Sequence, residues 1–295
     1  MDLPAESLKT FRFRKSGMIS TWTLGIFLLP VLLLWSPGSA RAGKRRFVVC
    51  LPLGEGSAAQ ATRHMQPFLR HLEKSAGWEE NSVVGTYINS LPECLAYIEK
   101  NKPHFGVISQ GLYLSNHRKW SLDVIGRVDM PRGAGRRLHL VVEKGKYDSL
   151  EGLKGVVLRS NHVADTEFLN RIVFNRKIDV ASHFKLDPTS SPLSGIRSVF
   201  RGRVGATLVN DDELELMRKR KEGEKLEVLM SSRALPGTPV VAFKNNADAK
   251  DVRTLAKILG NLCKGAGKSV CRDTMIRNFT SANNAVYAKL RNLYR

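Results

Sequence analysis

Ser160, Asn161 and His162 stand between an apolar run, Gly155-Val156-Val157-Leu158, and a segment whose apolar residues Phe168, Leu169, Ile172 and Val173 recur at helical spacing. A strand, a short polar loop and a helix start gather unpaired backbone N–H groups at one point, and such a point favours a negative charge. A hydroxyl, an amide and an imidazole add side-chain groups to it. The competing reading is a helix cap beside a surface histidine, which uses the same N–H groups. Tyr87 ends the strand pattern "SVVGTYI" and offers a phenol either to a ligand oxygen or to water at the core edge. Ser109, Gln110 and Tyr113 follow the strand "HFGVI", where Ser and Gln reach outward and a second helix start adds donors. Asp211 and Asp212 open "DDELELM"; paired acids serve acid–base chemistry or hold an amino group, and acids at a helix start also answer the helix dipole. The ligand-binding set expected from these patterns is Tyr87, Ser109, Gln110, Tyr113, Ser160, Asn161, His162 and Asp211. Arg136 and Arg137 suit bidentate oxyanion contacts or simple exposure.

Enzyme signatures are missing from the chain. No G-x-S-x-G, H-E-x-x-H or G-x-x-x-x-G-K-[ST] occurs, and "GEGSAAQATRH" is only a partial Gly-rich loop. The expectation is a non-catalytic protein without metal or cofactor.

These residues need a scaffold, and the chain supplies alternating strand and helix patterns throughout, the mark of an α/β fold with mainly parallel sheets. The pattern breaks twice at Pro/Gly segments, "DMPRGAGR" (129–136) and "SRALPGTP" (232–239). Two such breaks read as crossings between two lobes, 43–130 plus 237–295 and 131–236, with a hinged cleft between them. Ligands of such sheets sit beyond the carboxyl ends of the strands, which brings 54–57, 87–90, 109–113 and 160–165 to one cleft, with 210–212 able to join.

The 295 residues carry 47 Lys and Arg against 27 Asp and Glu, a net charge of +20. Strong basicity raises nucleic acid, anionic lipid and small anions as partners. The N-terminus narrows that choice. Lys9, Arg12, Arg14 and Lys15 precede the apolar run "TWTLGIFLLPVLLLW", and Ala40-Arg41-Ala42 follows. A basic region, a short apolar core and an A-x-A site read as a secretory signal peptide over residues 1–42, giving a periplasmic or extracytoplasmic protein. The alternative is an uncleaved anchor. Export sets nucleic acid aside. It also permits disulfides, and Cys263 and Cys271 flank the turn-forming "KGAGKSV" as a candidate pair. Cys50 and Cys94 are left without an assigned pairing.

On these segments the chain resembles the periplasmic solute-binding proteins of phosphonate and phosphate ABC transporters, with the two-lobed type II periplasmic-binding-protein-like fold. "FVVCLPLGEG", "HFGVISQGLYL", "YDSLEGLKGVVL", "GIRSVFRGRVGATLVNDD" and "SSRALPGTPVV" match in order and spacing, from about Lys44 to Tyr294. The resemblance implies two lobes joined by two hinge crossings and closing on a small oxyanion such as phosphate or a phosphonate. It implies a monomer delivering its ligand to a membrane permease and ATPase. The chain departs from the family where phosphonate binders carry a Ser/Thr-rich run ending in Gly: it has "RSNHVADTEF", and Asp165 would repel a dianion there. That departure keeps a second reading open, a sensory or accessory module that signals to a membrane kinase or has lost its ligand. A third, an enzyme on this fold, needs a cleft nucleophile, for which Cys50 and Cys94 are poorly placed.

Overall fold

The first strand sets the plan of the molecule. In β1 (Arg45–Cys50) alternate residues face opposite sides, so Phe47 joins one apolar cluster while Val48 and Cys50 join another. A strand buried on both faces belongs in the interior of a sheet covered on both sides. The computed structural model describes residues 43–54, 56–129, 137–274 and 276–295. The expected signal peptide and residues 130–136 of the first crossing lie outside the described residues. The described residues form one compact unit. Among the described residues no helix is long and apolar enough to cross a membrane.

After β1 the strands run in chain order as β2 (Val83–Ile88), β3 (Phe105–Ile108), β4 (Leu122–Asp129), β5 (Leu138–Glu143), β6 (Val157–Ser160), β7 (Lys185–Pro188), β8 (Ala206–Asn210), β9 (Leu226–Ser231), β10 (Thr238–Phe243) and β11 (Asn278–Thr280). They form two sheets, ordered β11-β4-β10-β3-β1-β2 and β7-β6-β8-β5-β9. Both sheets are mixed rather than mainly parallel. β2-β1-β3 and β7-β6-β8 are parallel, whereas β10 pairs antiparallel with β3 and β4, and β5 pairs antiparallel with β8 and β9. The reason lies in the crossings. β4 and β9 leave their sheets toward the other half, β5 and β10 arrive from it, and a strand that returns along its departing neighbour must run against it.

Helices cover the sheets: α1 (Ala58–Ala76), α2 (Leu91–Asn101), α3 (Gln110–Asn116), α4 (Thr166–Phe168, continued by a π-helical turn over Leu169–Val173), α5 (Val180–His183), α6 (Pro192–Phe200), α7 (Asp211–Arg218), α8 (Ala249–Ile258), α9 (Gly267–Asp273) and α10 (Ala288–Tyr294). α1 shows why these sequences fold locally as they do. Ser57 caps it, its hydroxyl accepting from the Gln60 N–H at 3.2 Å, and Gly77 ends it at φ 64°, a left-handed conformation that costs glycine little. Met65, Phe68, Leu69 and Leu72 bury one stripe against the first sheet. Cys263 and Cys271 form a disulfide that ties the segment before α9 to the second half of that helix, with Cα atoms 5.5 Å apart. The His71 ring bonds the Leu262 carbonyl at 2.9 Å and so ties this staple to α1.

A bridge of sequence separation 8 closes a short loop, worth about 2–3 kcal/mol in chain-entropy terms. Dithiothreitol is therefore expected to lower the urea midpoint of the mature chain. An unchanged midpoint with the bridge verified as reduced would rule out a stabilising role.

Candidate functional site

Loops at the carboxyl ends of strands from both sheets meet around a cavity of about 550 Å³. The first sheet contributes the 51–54 loop after β1, Tyr87 of β2 and Ser109, Gln110 and Gly111 after β3. The second contributes Asn161, His162, Ala164 and Asp165 after β6, with Phe168 beyond them. Leu235 and Thr238 enter from the second crossing. This placement follows from topology, because parallel strands leave their loops at one edge of the sheet.

Gly54 lies hard against Tyr87: a Cβ built on it would collide with the Tyr87 hydroxyl. The Asn89 amide holds the neighbouring turn, donating to the Gly56 carbonyl at 3.0 Å. Ser109 caps α3, its hydroxyl accepting from the Leu112 N–H at 3.3 Å. The Gln110 amide nitrogen donates to the Pro236 carbonyl, joining the loop after β3 to the second crossing. The Gln110 amide oxygen is buried without a hydrogen-bond partner, and so is Nε2 of His162. That imidazole nitrogen lies 3.8 Å from a carboxylate oxygen of the buried Glu213, too far for a hydrogen bond. Buried polar atoms without partners are uncommon in folded proteins and mark where a ligand atom can complete the set.

Five of the eight residues expected from the sequence therefore line the cavity: Tyr87, Ser109, Gln110, Asn161 and His162. Three do not. Ser160 is the last residue of β6 and 1% exposed; its hydroxyl donates to the Leu208 carbonyl at 2.9 Å and accepts from the His162 N–H at 3.1 Å. It shapes the loop from below. Tyr113 is fully buried, its hydroxyl 3.2 Å from the Arg291 guanidinium and 3.3 Å from the Asn284 side-chain oxygen. Asp211 accepts from the Arg137 N–H at 2.8 Å and pairs with the His139 ring at 2.9 Å, while the other ring nitrogen of His139 meets the Ser231 hydroxyl at 2.8 Å. Its carboxylate fastens α7 to β5. Arg137 donates to the Ser232 carbonyl at 3.0 Å, binding one crossing to the other. Arg136 lies outside the described residues.

Gln60 and His64, one helical turn apart on α1, line the same cavity and were missed from the sequence. Their i, i+4 spacing beside the Met65–Phe68 stripe was the available signal. Asp165 also faces in. Its carboxylate caps α4, accepting from the Phe168 N–H at 2.9 Å, and a Cβ built on Gly111 would overlap it. The two halves thus touch at Gly111 and Asp165. Burial pushes the Asp165 carboxyl above its ordinary value of 3.8, against the pull of that N–H bond. Tyr294 sits in the same surroundings; burial and the charges of Asp165 and Glu167 push its phenol up to about 12. Among the described residues lining the cavity there is no Lys or Arg. The two unpaired cysteines, Cys50 and Cys94, are buried away from it. A hydrogen bond with Cys94, and then burial, raise the Cys50 pKa, which keeps the thiol protonated and a poor nucleophile.

A model of the family described as ABC transporter, phosphonate, periplasmic substrate-binding protein matches residues 54–287. The chain belongs to this family. Solved structures agree in fold. A binding-protein component of an ABC phosphonate transporter from Pseudomonas aeruginosa superposes with a TM-score of 0.62 at 17% identity, covering 85% of each chain. PhnD1 from Prochlorococcus marinus, in complex with methylphosphonate, gives 0.58 at 16% identity, covering 84% of this chain and 97% of that one. A Xanthomonas citri protein bound to ATP gives 0.64 at 10% identity, covering 85% and 96%. Comparison with curated proteins gave no match. The type II periplasmic binding fold is thus shared.

In this binding protein the buried carboxyl has a sign that can be checked. Its folded-state pKa is raised, so the native state binds the proton more tightly than the unfolded chain. The stability this confers is complete below the ordinary value and is lost as pH rises through the raised one. Asp165→Asn keeps a capping side chain and removes the buried charge. The variant is expected to melt higher than the parent at pH 7.5, with the gap closing toward pH 4. Equal or lower melting at pH 7.5 would contradict this account of Asp165.

Proposed function

We propose that this binding protein captures a phosphonate-type oxyanion in the cavity between its two sheets and delivers it to a membrane permease and its ATPase. One observation carries the reading: Tyr87, Ser109, Gln110, Asn161 and His162 come from the carboxyl ends of strands of both sheets and the segments that follow them and converge on one cavity, in a chain of the phosphonate-binding family. The loops after β3 and β6 bring backbone N–H groups and neutral donors, the type of groups that hold an oxyanion in a desolvated site. The lobes are 43–130 with 237–295 and 131–236, bending at the two crossings. The protein works as a monomer without catalysis, after export and removal of residues 1–42. The relatives whose structures carry ligands hold methylphosphonate in one case and ATP in another, so the fold by itself leaves ligand size open.

Asp165 favours a second reading. A carboxylate of the chain itself already lies against Gly111 at the meeting point of the halves. In that reading the protein is a sensory or accessory module with altered or lost anion binding.

Calorimetry and thermal shift on the mature chain separate the two. Methylphosphonate, phosphate and sulfonates are titrated at pH 6 and pH 8. A true ligand at a hundred times its Kd adds about 2.7 kcal/mol to stability. Tyr87→Phe and His162→Ala are expected to weaken it about tenfold each, the scale of one lost hydrogen bond to a charged group. Silence from every anion at both pH values would favour the sensory reading.

A further inference from the structure

We propose that Cys50 and Cys94 are the two halves of a second disulfide, made by exchange with a disulfide oxidant after export and joining the end of β1 to the start of α2. The proposal is independent of what the cavity binds.

The fold itself brings the two residues together. Cys50 closes β1 and lies opposite Ile88 in the parallel pairing of β1 with β2. After Ile88 the chain turns at Ser90 and enters α2, where the Cys94 N–H donates back to the Ser90 carbonyl at 2.9 Å. That turn returns the Cys94 thiol to the Ile88 carbonyl, at 3.7 Å. The Leu51 N–H donates to the same carbonyl at 3.0 Å. The two cysteines thus meet at Ile88, and their thiols hydrogen-bond to one another. Both are thiols in this structure, and both are fully buried in one apolar cluster.

Buried cysteines often serve only as small apolar residues, a use that requires no particular neighbour. This pair has one, and a disulfide requires side chains within reach of each other. The chain belongs to a periplasmic family and carries one disulfide already, between Cys263 and Cys271. Thiols in contact in an oxidising compartment are the substrate of disulfide exchange. A Cys50–Cys94 bond also closes a loop that holds all of α1 and β2, far longer than the separation of 8 between Cys263 and Cys271. Closing a longer loop removes more entropy from the unfolded chain. The place matters for the cavity as well. The Cys50 carbonyl accepts from the Ser109 N–H at 2.9 Å, and the next residue begins the 51–54 turn on the cavity wall. A covalent link at Cys50 anchors both walls from behind.

The exchange balances in two steps. One cysteine thiolate attacks a sulfur of the oxidant and releases its first thiol. The partner cysteine attacks the mixed disulfide and releases the second. Two cysteine thiols are oxidised, one disulfide is reduced to two thiols, and the two protons leave with those thiols. Burial sets when this happens. In the folded dithiol the sulfurs are shut away from an oxidant, so the bond forms during folding, while both are still reachable.

Thiol counting tests the proposal. The mature chain, reduced and unfolded in urea, is refolded in a mixture of reduced and oxidised glutathione. It is then denatured and alkylated with iodoacetamide in the absence of reductant. None of the 4 cysteines is expected to be alkylated, and digestion is expected to yield a peptide pair joined through Cys50 and Cys94. Alkylation of Cys50 and Cys94 with the Cys263–Cys271 bond formed would overturn the proposal. A glutathione adduct left on either, or a bond from either to Cys263 or Cys271, would do the same. Protein exported by a bacterial host with residues 1–42 in place, alkylated in urea in the same way, is expected to give the same peptide pair. Free thiols at both positions there would rule out the bond in the compartment where it is proposed to form.

Discussion

Everything in this structure depends on how two pairs of antiparallel strands pass from one sheet to the other. β4 lies beside β10, and β5 lies beside β9, each pair held by a ladder of backbone bonds. Backbone N–H and C=O groups inside a protein must be paired, so each ladder fixes the direction in which the chain leaves and re-enters a sheet. The parallel strands β1, β2, β3 and β6, β7, β8 then carry their carboxyl ends toward a common space. The cavity is where those ends meet. An apolar cluster that includes Ile108 and Leu112 of the first half and Leu140 and Leu158 of the second continues across the junction. Hydrophobic contact and strand direction therefore act on the same arrangement.

Much of this was legible in the sequence, for definite reasons. The alternation of strand and helix patterns gave the α/β class, and the Pro/Gly segments 129–136 and 232–239 fall between strands that lie in different sheets. The apolar runs set the strand ends, and Tyr87, Ser109, Gln110, Asn161 and His162 at or just after those ends all line the one cavity. What escaped was side-chain direction within those loops. In β6 the burial pattern puts Leu158 and Ser160 on the same inward face, and the period of two already in the sequence was enough to turn Ser160 away from a ligand. Tyr113 had no comparable signal. Its partners Arg291 and Asn284 come from the far end of the chain, and no local pattern announces a contact across so many residues.

Asp211 failed for a third reason. Acids at the start of a helix answer the helix dipole, and here that local role is joined by a cross-strand one through His139. How tightly α1 seats on the first sheet was also invisible from sequence. A stripe of Met65, Phe68, Leu69 and Leu72 says that α1 packs against a sheet, but it does not say how closely. Pro67 stands within that stripe and lacks the backbone donor of an ordinary helical residue, so the helix has one bond fewer holding its middle straight. Packing distance is a property of the assembled pair and has no counterpart in periodicity.

The Gln110 amide faces two ways, and this gives the molecule an internal lever. Its nitrogen grips the carbonyl of Pro236 in the second crossing, while its oxygen looks for a partner among the cavity walls. Any occupant that engages the oxygen also orients the nitrogen, and through it the second crossing, where the proposed function places a hinge. Under that proposal occupancy and bending share one free energy, and by reciprocity a mutation that stiffens 232–237 changes the hold on the occupant as much as the occupant changes the bend.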